Sequence, residues 1–134
     1  MLRGTMSNPH LARGASMEAA AERWLSAQGL VCVTKNFRCK LGEIDLIMLD
    51  GKQLVFVEVR FRKNELYGSA AESVTYSKQQ RVIRAAQLFI ETHPRWRHCA
   101  CRFDVLGVTN VLGATQTITD TLQWQWLRDA FGSD

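Results

Sequence analysis

Two acids and a base fall close together in the stretch GEIDLIMLDGKQLVFVEVRFR, which runs from Gly42 to Arg62: Asp45, Glu58 and Arg60. Charges at the ends of apolar runs are costly unless paired, hydrated or bound to a metal. Two carboxylates near each other repel, and a hard divalent cation with oxygen ligands relieves that repulsion. Mg²⁺ or Mn²⁺ held this way activates water for phosphodiester hydrolysis. The alternative is an ion-pair network in which Arg60 and Arg62 neutralise Asp45 and Glu58 and no cation binds. Residue type and spacing leave both readings open.

The elements that position these residues form a hairpin. Ile44–Leu49 and Leu54–Arg62 read as strands, and the Asp-Gly of the intervening DGKQ is a strong hairpin signal. Side chains alternate along a strand. One face of the second strand therefore holds Val55, Val57, Val59 and Phe61. The other holds Leu54 and Phe56, then turns polar at Glu58, Arg60 and Arg62. An Asp50-Gly51 turn places Leu49 opposite Lys52, Asp45 opposite Phe56 and Glu43 opposite Glu58. Asp45 and Glu58 then share a face as diagonal neighbours, about 5.5–8 Å apart at the backbone. A slip of one residue would separate them.

Around the hairpin, Ser16–Gln28 reads as a helix with Ser16 as N-cap and Gly29 as its stop. LVCVTKNFRC is a first strand, and ELYGSAAESVTYS is a loop or irregular crossing. SKQQRVIRAAQLFIETHP is the longest helix, with Ser77 and Gln80 as a capping box and Pro94 marking its end. CRFDVLGV is a fourth strand and TQTITDT a candidate fifth. LQWQWLRDAF reads as a short terminal helix or tail, although Trp124 and Trp126 fall at strand spacing. The order αβββαβ implies an α/β fold: a central mixed sheet flanked by helices, with one parallel crossover. Residues 1–14 read as a flexible tail and 15–131 as one domain.

With 46% hydrophobic and 22% charged residues the chain has the composition of a soluble globular domain. No apolar run reaches the ~18 residues of a membrane span, which argues against a membrane partner. The N-terminal segment has no apolar signal core, so the cytoplasm is the expected compartment. Free thiols are expected there, and Cys32, Cys39, Cys99 and Cys101 match no common zinc spacing. The net charge of +4 is uneven. Six basic residues between Lys78 and Arg102 face one acid, Glu91. Such clustering suits a polyanion, nucleic acid first, although a solvated helix face has the same composition. His93 fits a helix C-cap, and the four tryptophans fit packing or base stacking.

The acids and arginine resemble the nuclease motif written PD-(D/E)XK. More narrowly, the chain resembles the YraN-type family of small uncharacterised bacterial proteins. The marks are NFRCKLGEIDLI, LVFVEVRFR, YGSAAESVTYSKQQRVIRAAQLFI, RFDV and a final DAF. The resemblance implies a restriction-endonuclease-like αβββαβ core, similar to Holliday-junction resolvases. It implies Mg²⁺- or Mn²⁺-dependent cleavage of structured or branched nucleic acid, DNA before RNA, and related resolvases offer a homodimer as the analogous assembly. Asp45 and Glu58 match the motif's acids, and Glu18 matches a further acidic ligand. Arg60 occupies the lysine slot. Lys78 and Arg81 match basic positions that face phosphate, and Arg84, Arg62 and Arg38 extend that basic surface. Two departures stand out: Met17 replaces the usual glycine before Glu18, and arginine replaces lysine at position 60. Arginine stays protonated below ~pH 12 and cannot act as a base, so a weak or inactive nucleic-acid-binding module on the same fold is the alternative.

Overall fold

The computed structural model describes residues 9–62, 70–110 and 122–132, with side chains from Met17 onward except at Asn110. The elements run α1 (Pro9–Ala27), β1 (Val31–Cys39), β2 (Gly42–Asp50), β3 (Gln53–Arg62), α2 (Tyr76–Thr92), β4 (Cys101–Asn110) and β5 (Leu122–Phe131). Short 3₁₀ turns at Ala71–Ser73 and Pro94–Trp96 flank α2. The strands lie in sequence order in a single sheet. All neighbours are antiparallel except β3 and β4, which are parallel. The architecture is therefore the α/β mixed sheet expected, consistent with a restriction-endonuclease-like core.

Each face of the sheet is apolar because β2 and β3 alternate under two different helices. Ala21 and Leu25 of α1 pack on Leu46, Met48, Val55 and Val57. Val82, Ala86 and Phe89 of α2 pack on Ile47, Leu54, Phe56 and Phe103. At the end of α1, Leu30 N–H donates to Leu25 O and Gly29 N–H donates to Ser26 O. With Gly29 at φ +105, this double bond pattern is the glycine stop anticipated.

Several expectations are corrected. Helix α1 begins at Pro9, so Ser16 is an interior residue and not its cap, and the helix reaches into the segment read as a tail. Thr75, not Ser77, caps α2: its Oγ1 accepts the Lys78 N–H at 3.1 Å. LQWQWLRDAF is strand β5, as its tryptophan spacing hinted. The TQTITDT segment lies outside the described residues. The hairpin turn is Gly51-Lys52, with Gly51 at φ +62 and Asp50 paired with Gln53. Leu49 therefore faces Leu54 and not Lys52. This shift is even, so it leaves every side chain on its predicted face. Phe61, on the face read as apolar throughout, is 43% exposed where β3 still pairs with β4 but has run past its pairing with β2. Among the described residues no helix is long and apolar enough to cross a membrane.

Two glycines set how closely other segments approach the sheet. A Cβ on Gly42 would sit 2.7 Å from the backbone O of Arg81, and one on Gly107 would sit 2.5 Å from the Ala70 Cβ. Gly42→Ala should push the first half of α2 off β2, lowering stability by about 1–3 kcal/mol in urea unfolding. A neutral result would mean that the helix slides freely over the strand.

Candidate metal and nucleic-acid site

The site forms where β2 begins and β3 ends. Regular pairing of these strands stops at Leu46–Val57. Immediately beyond it, Asp45 Oδ2 accepts the backbone N–H of Val59 at 2.8 Å. The Glu58 carboxyl lies close enough to Asp45 to feel its charge. Glu58 is only 3% exposed. The hairpin thus gathers both acids, although its register is two residues from the one anticipated.

Two cations flank Glu58. Lys78 Nζ, from the first turn of α2, and Arg60 Nη1 each lie 3.6 Å from Glu58 Oε2. They are held differently. Arg60 donates from Nε to Ser73 Oγ at 3.1 Å and from Nη2 to Ser73 O at 3.2 Å. Ser73 Oγ in turn donates to Ala70 O at 2.6 Å. The guanidinium is therefore anchored to the turn preceding α2, whereas the Lys78 ammonium enters the site on a flexible stem.

The electrostatics follow from burial. Desolvation pushes the Glu58 carboxyl up to about 7; the Asp45 charge adds to this, and Lys78 and Arg60 oppose it. Burial also raises Asp45, against the Val59 N–H and the Lys78 charge. Two acids, both reluctant to ionise, share a site that a proton or a cation can neutralise.

Glu18 lies on α1, near enough to Asp45 to feel its charge. Burial raises its pKa and the Asp45 charge raises it further, while a side-chain hydrogen bond with Asn36 opposes both. Asn36 has φ 53, a left-handed conformation in the middle of a strand, at the point where β1–β2 pairing skips Asp45. Among the described residues no group of three His, Cys, Asp or Glu side chains is arranged to hold a metal. Asp45 and Glu58 nonetheless suit Mg²⁺ or Mn²⁺ by donor chemistry, since one or two carboxylates completed by water suffice.

The basic residues separate into different roles. Arg81 and Arg84 are exposed on α2. Arg38 is paired with Glu43 at 3.5 Å on the surface, and Arg62 is half-buried at the end of β3. Arg102, counted above with the basic cluster, is not available to a polyanion. It is buried against Asp104 at 2.9 Å and Asp50 at 3.0 Å. Ser73 and Asn36 were not anticipated, and no sequence signal links them to residues so distant along the chain. The four cysteines are free thiols. His93 caps α2, with Nδ1 2.8 Å from Phe89 O. Trp24 stacks on Trp124 and meets Trp126 edge-on, so these three rings pack against one another.

Comparison with known proteins gives one consistent result. The model of the uncharacterised protein family UPF0102 matches residues 17–108. A UPF0102 protein of Alcanivorax borkumensis is 46% identical over 121 residues, covering 90% of this chain and 92% of its own. One from Stutzerimonas stutzeri is 46% identical over 120 residues, covering 90% and 94%. One from Pseudomonas fluorescens is 44% identical over 133 residues, covering 99% of this chain and all of its own.

Proposed function

The chain belongs to the UPF0102 family, the YraN-like group its motifs resemble, and from the chemistry of its acid pair we propose that it is a metal-dependent nuclease of the PD-(D/E)XK type. The observation that carries this reading is the convergence of half-buried Asp45 and buried Glu58, two carboxyls of raised pKa, where pairing of the interior strands β2 and β3 stops. Asp45 and Glu58 would hold Mg²⁺ or Mn²⁺ with water completing the shell; Glu18 is not arranged with them as a third ligand, so its share would be the negative charge it places beside Asp45. When bound, the cation supplies Lewis-acid chemistry at a phosphodiester and acidifies water.

The protein's own residues do the rest. The Val59 N–H orients the Asp45 carboxylate. Arg60, anchored on Ser73, supplies a fixed positive charge that stabilises a pentavalent phosphate. Arginine cannot take a proton, so the proton-handling role passes to Lys78, the other cation at Glu58. The positive end of α2 and the exposed Arg81 and Arg84 favour the phosphate backbone. The substrate is structured or branched nucleic acid, DNA before RNA, and a homodimer is the corresponding assembly.

The test is cleavage of branched and linear DNA by the purified protein with Mg²⁺ and Mn²⁺, with Asp45→Ala as the control against a contaminating nuclease. Lys78→Ala should lower cleavage by ~10²-fold or more, and Arg60→Ala should lower both cleavage, by a similar factor, and melting temperature. If no form cleaves and Mn²⁺ shifts no melting temperature, the nuclease reading fails. A second reading is favoured by the anchoring of Arg60: a nucleic-acid-binding module with little or no cleavage. It requires wild-type protein to bind the same DNAs with steep salt dependence.

A further inference from the structure

At the opposite pole of the sheet from Asp45 and Glu58, a cleft of about 820 Å³ opens between the Gly51-Lys52 turn and the segment after α2. Leu49, Trp96 and Cys99 give it an apolar side, and they also pack on the core beneath α2. Lys52, Arg95 and His98 give it three basic groups. The acid in its lining, Asp50, is already neutralised by Arg102 at 3.0 Å. The Arg95 guanidinium lies over the Trp96 ring, 4.7 Å from the centroid.

A guanidinium layered on an indole is a flat cationic platform, and unstacked nucleobases stack on such planes. The basic groups around it suit the phosphate of the same nucleotide. The position is also informative. Helix α2 runs from the acid pair, where Lys78 meets Glu58, to this cleft, where Pro94–Trp96 begins. Arg81, Arg84 and Arg95 are exposed along this route, with the acid Glu91 among them. The 17 residues of α2 span about 25 Å at ~1.5 Å per residue. At ~3.4 Å per step this is the length of about seven base pairs.

We propose that the Trp96 cleft receives an unpaired nucleotide of a bound strand, at the far end of a duplex arm of about seven base pairs whose near end lies at Asp45 and Glu58. The inference rests on the nucleic-acid reading above and adds a second subsite to it. The protein thereby distinguishes a duplex arm that ends in, or opens into, single strand from a continuous duplex.

The test is fluorescence anisotropy without divalent metal, using fluorescein-labelled duplexes of five to twelve base pairs. Each is used blunt or with a three-nucleotide thymidine overhang. A single stacked base is expected to tighten binding roughly 5- to 100-fold, with the gain appearing once the arm reaches about seven base pairs. Trp96→Ala and the surface change Lys52→Ala should each remove most of that gain and leave blunt-duplex affinity unchanged. Trp96→Phe, which keeps a ring in the wall, should retain part of it. An overhang that adds nothing, or a gain that survives both Trp96→Ala and Lys52→Ala, overturns the cleft inference while blunt binding upholds the nucleic-acid reading. Absence of binding to every duplex overturns both. Tighter binding of free thymidine monophosphate than the overhang gain accounts for would make the cleft a mononucleotide site and overturn the proposal as stated.

Discussion

Asp104→Ala should lower the unfolding free energy by about 3–5 kcal/mol, because it leaves the Trp126 and Asp129 donors without their acceptor and Arg102 with Asp50 as its remaining acid. Asp104 is fully buried in β4. Its carboxylate accepts from Arg102 Nε at 2.9 and 3.2 Å, from Trp126 Nε1 at 2.9 Å and from the Asp129 backbone N–H at 2.8 Å. It sits where β4–β5 pairing shifts register, and Asp129 opposite it has φ 53. The carboxylate therefore satisfies a bulge, anchors an edge strand and neutralises Arg102. Asp104→Asn keeps the shape but not the charge and should fall between wild type and alanine. Urea unfolding measures this directly. A loss below about 1 kcal/mol for the alanine variant would show that water replaces the carboxylate readily, contrary to its complete burial.

The second large effect is at Glu58. Its carboxyl titrates at about 7 in the folded protein, against an ordinary value of 4.5. Between those values the folded state holds more protons than the unfolded chain, so stability falls as pH rises through this window. The contribution is fully present below pH 4.5 and gone above about pH 7. Asp45, also raised, steepens the same slope. Glu58→Gln removes the ionisation and should be the more stable protein at pH 8, by roughly 2 kcal/mol. Its stability should also vary less between pH 4.5 and 7. The same variant should lose most of the Mn²⁺-induced rise in melting temperature expected of wild type. Thermal melts across pH, with and without Mn²⁺, give both readouts. A variant less stable than wild type at pH 8 would mean that the ion pairs with Lys78 and Arg60 outweigh desolvation.

The hairpin was legible because its information is local. Asp-Gly marks the turn, alternation fixes the faces, and an error of two residues in register leaves Asp45 and Glu58 on the same side. The turn itself was misplaced because Gly51 takes the first corner and Asp50 remains in the ladder. β5 was misread for a different reason. Leu, Gln, Arg and Ala favour helix locally, and only pairing with β4 makes the segment a strand. The contacts that differentiate Lys78 from Arg60 were out of reach, because Ser73 and Glu58 meet their partners only after α2 has crossed the sheet. RFDV was visible as a motif, but nothing in its composition says that Asp104 binds a tryptophan and a backbone amide across a bulge.

The parallel pairing of β3 with β4 has a consequence for how the molecule assembles in time. A two-residue turn joins β2 to β3, so closing that hairpin sacrifices little chain entropy and brings Asp45 to Glu58 early. β4 can align with β3 only after the chain has formed α2 and returned, which is a slower, non-local event. Lys78 travels with that helix, and Arg60 gains its anchor on Ser73 from the segment leading into it. Closing the hairpin first would bring the two acids together with Arg60 beside Glu58 but not yet anchored, and with Lys78 still to come. A proton on the pair relieves the repulsion in that interval, so acidic buffer should favour early hairpin closure more than it favours the later docking of α2.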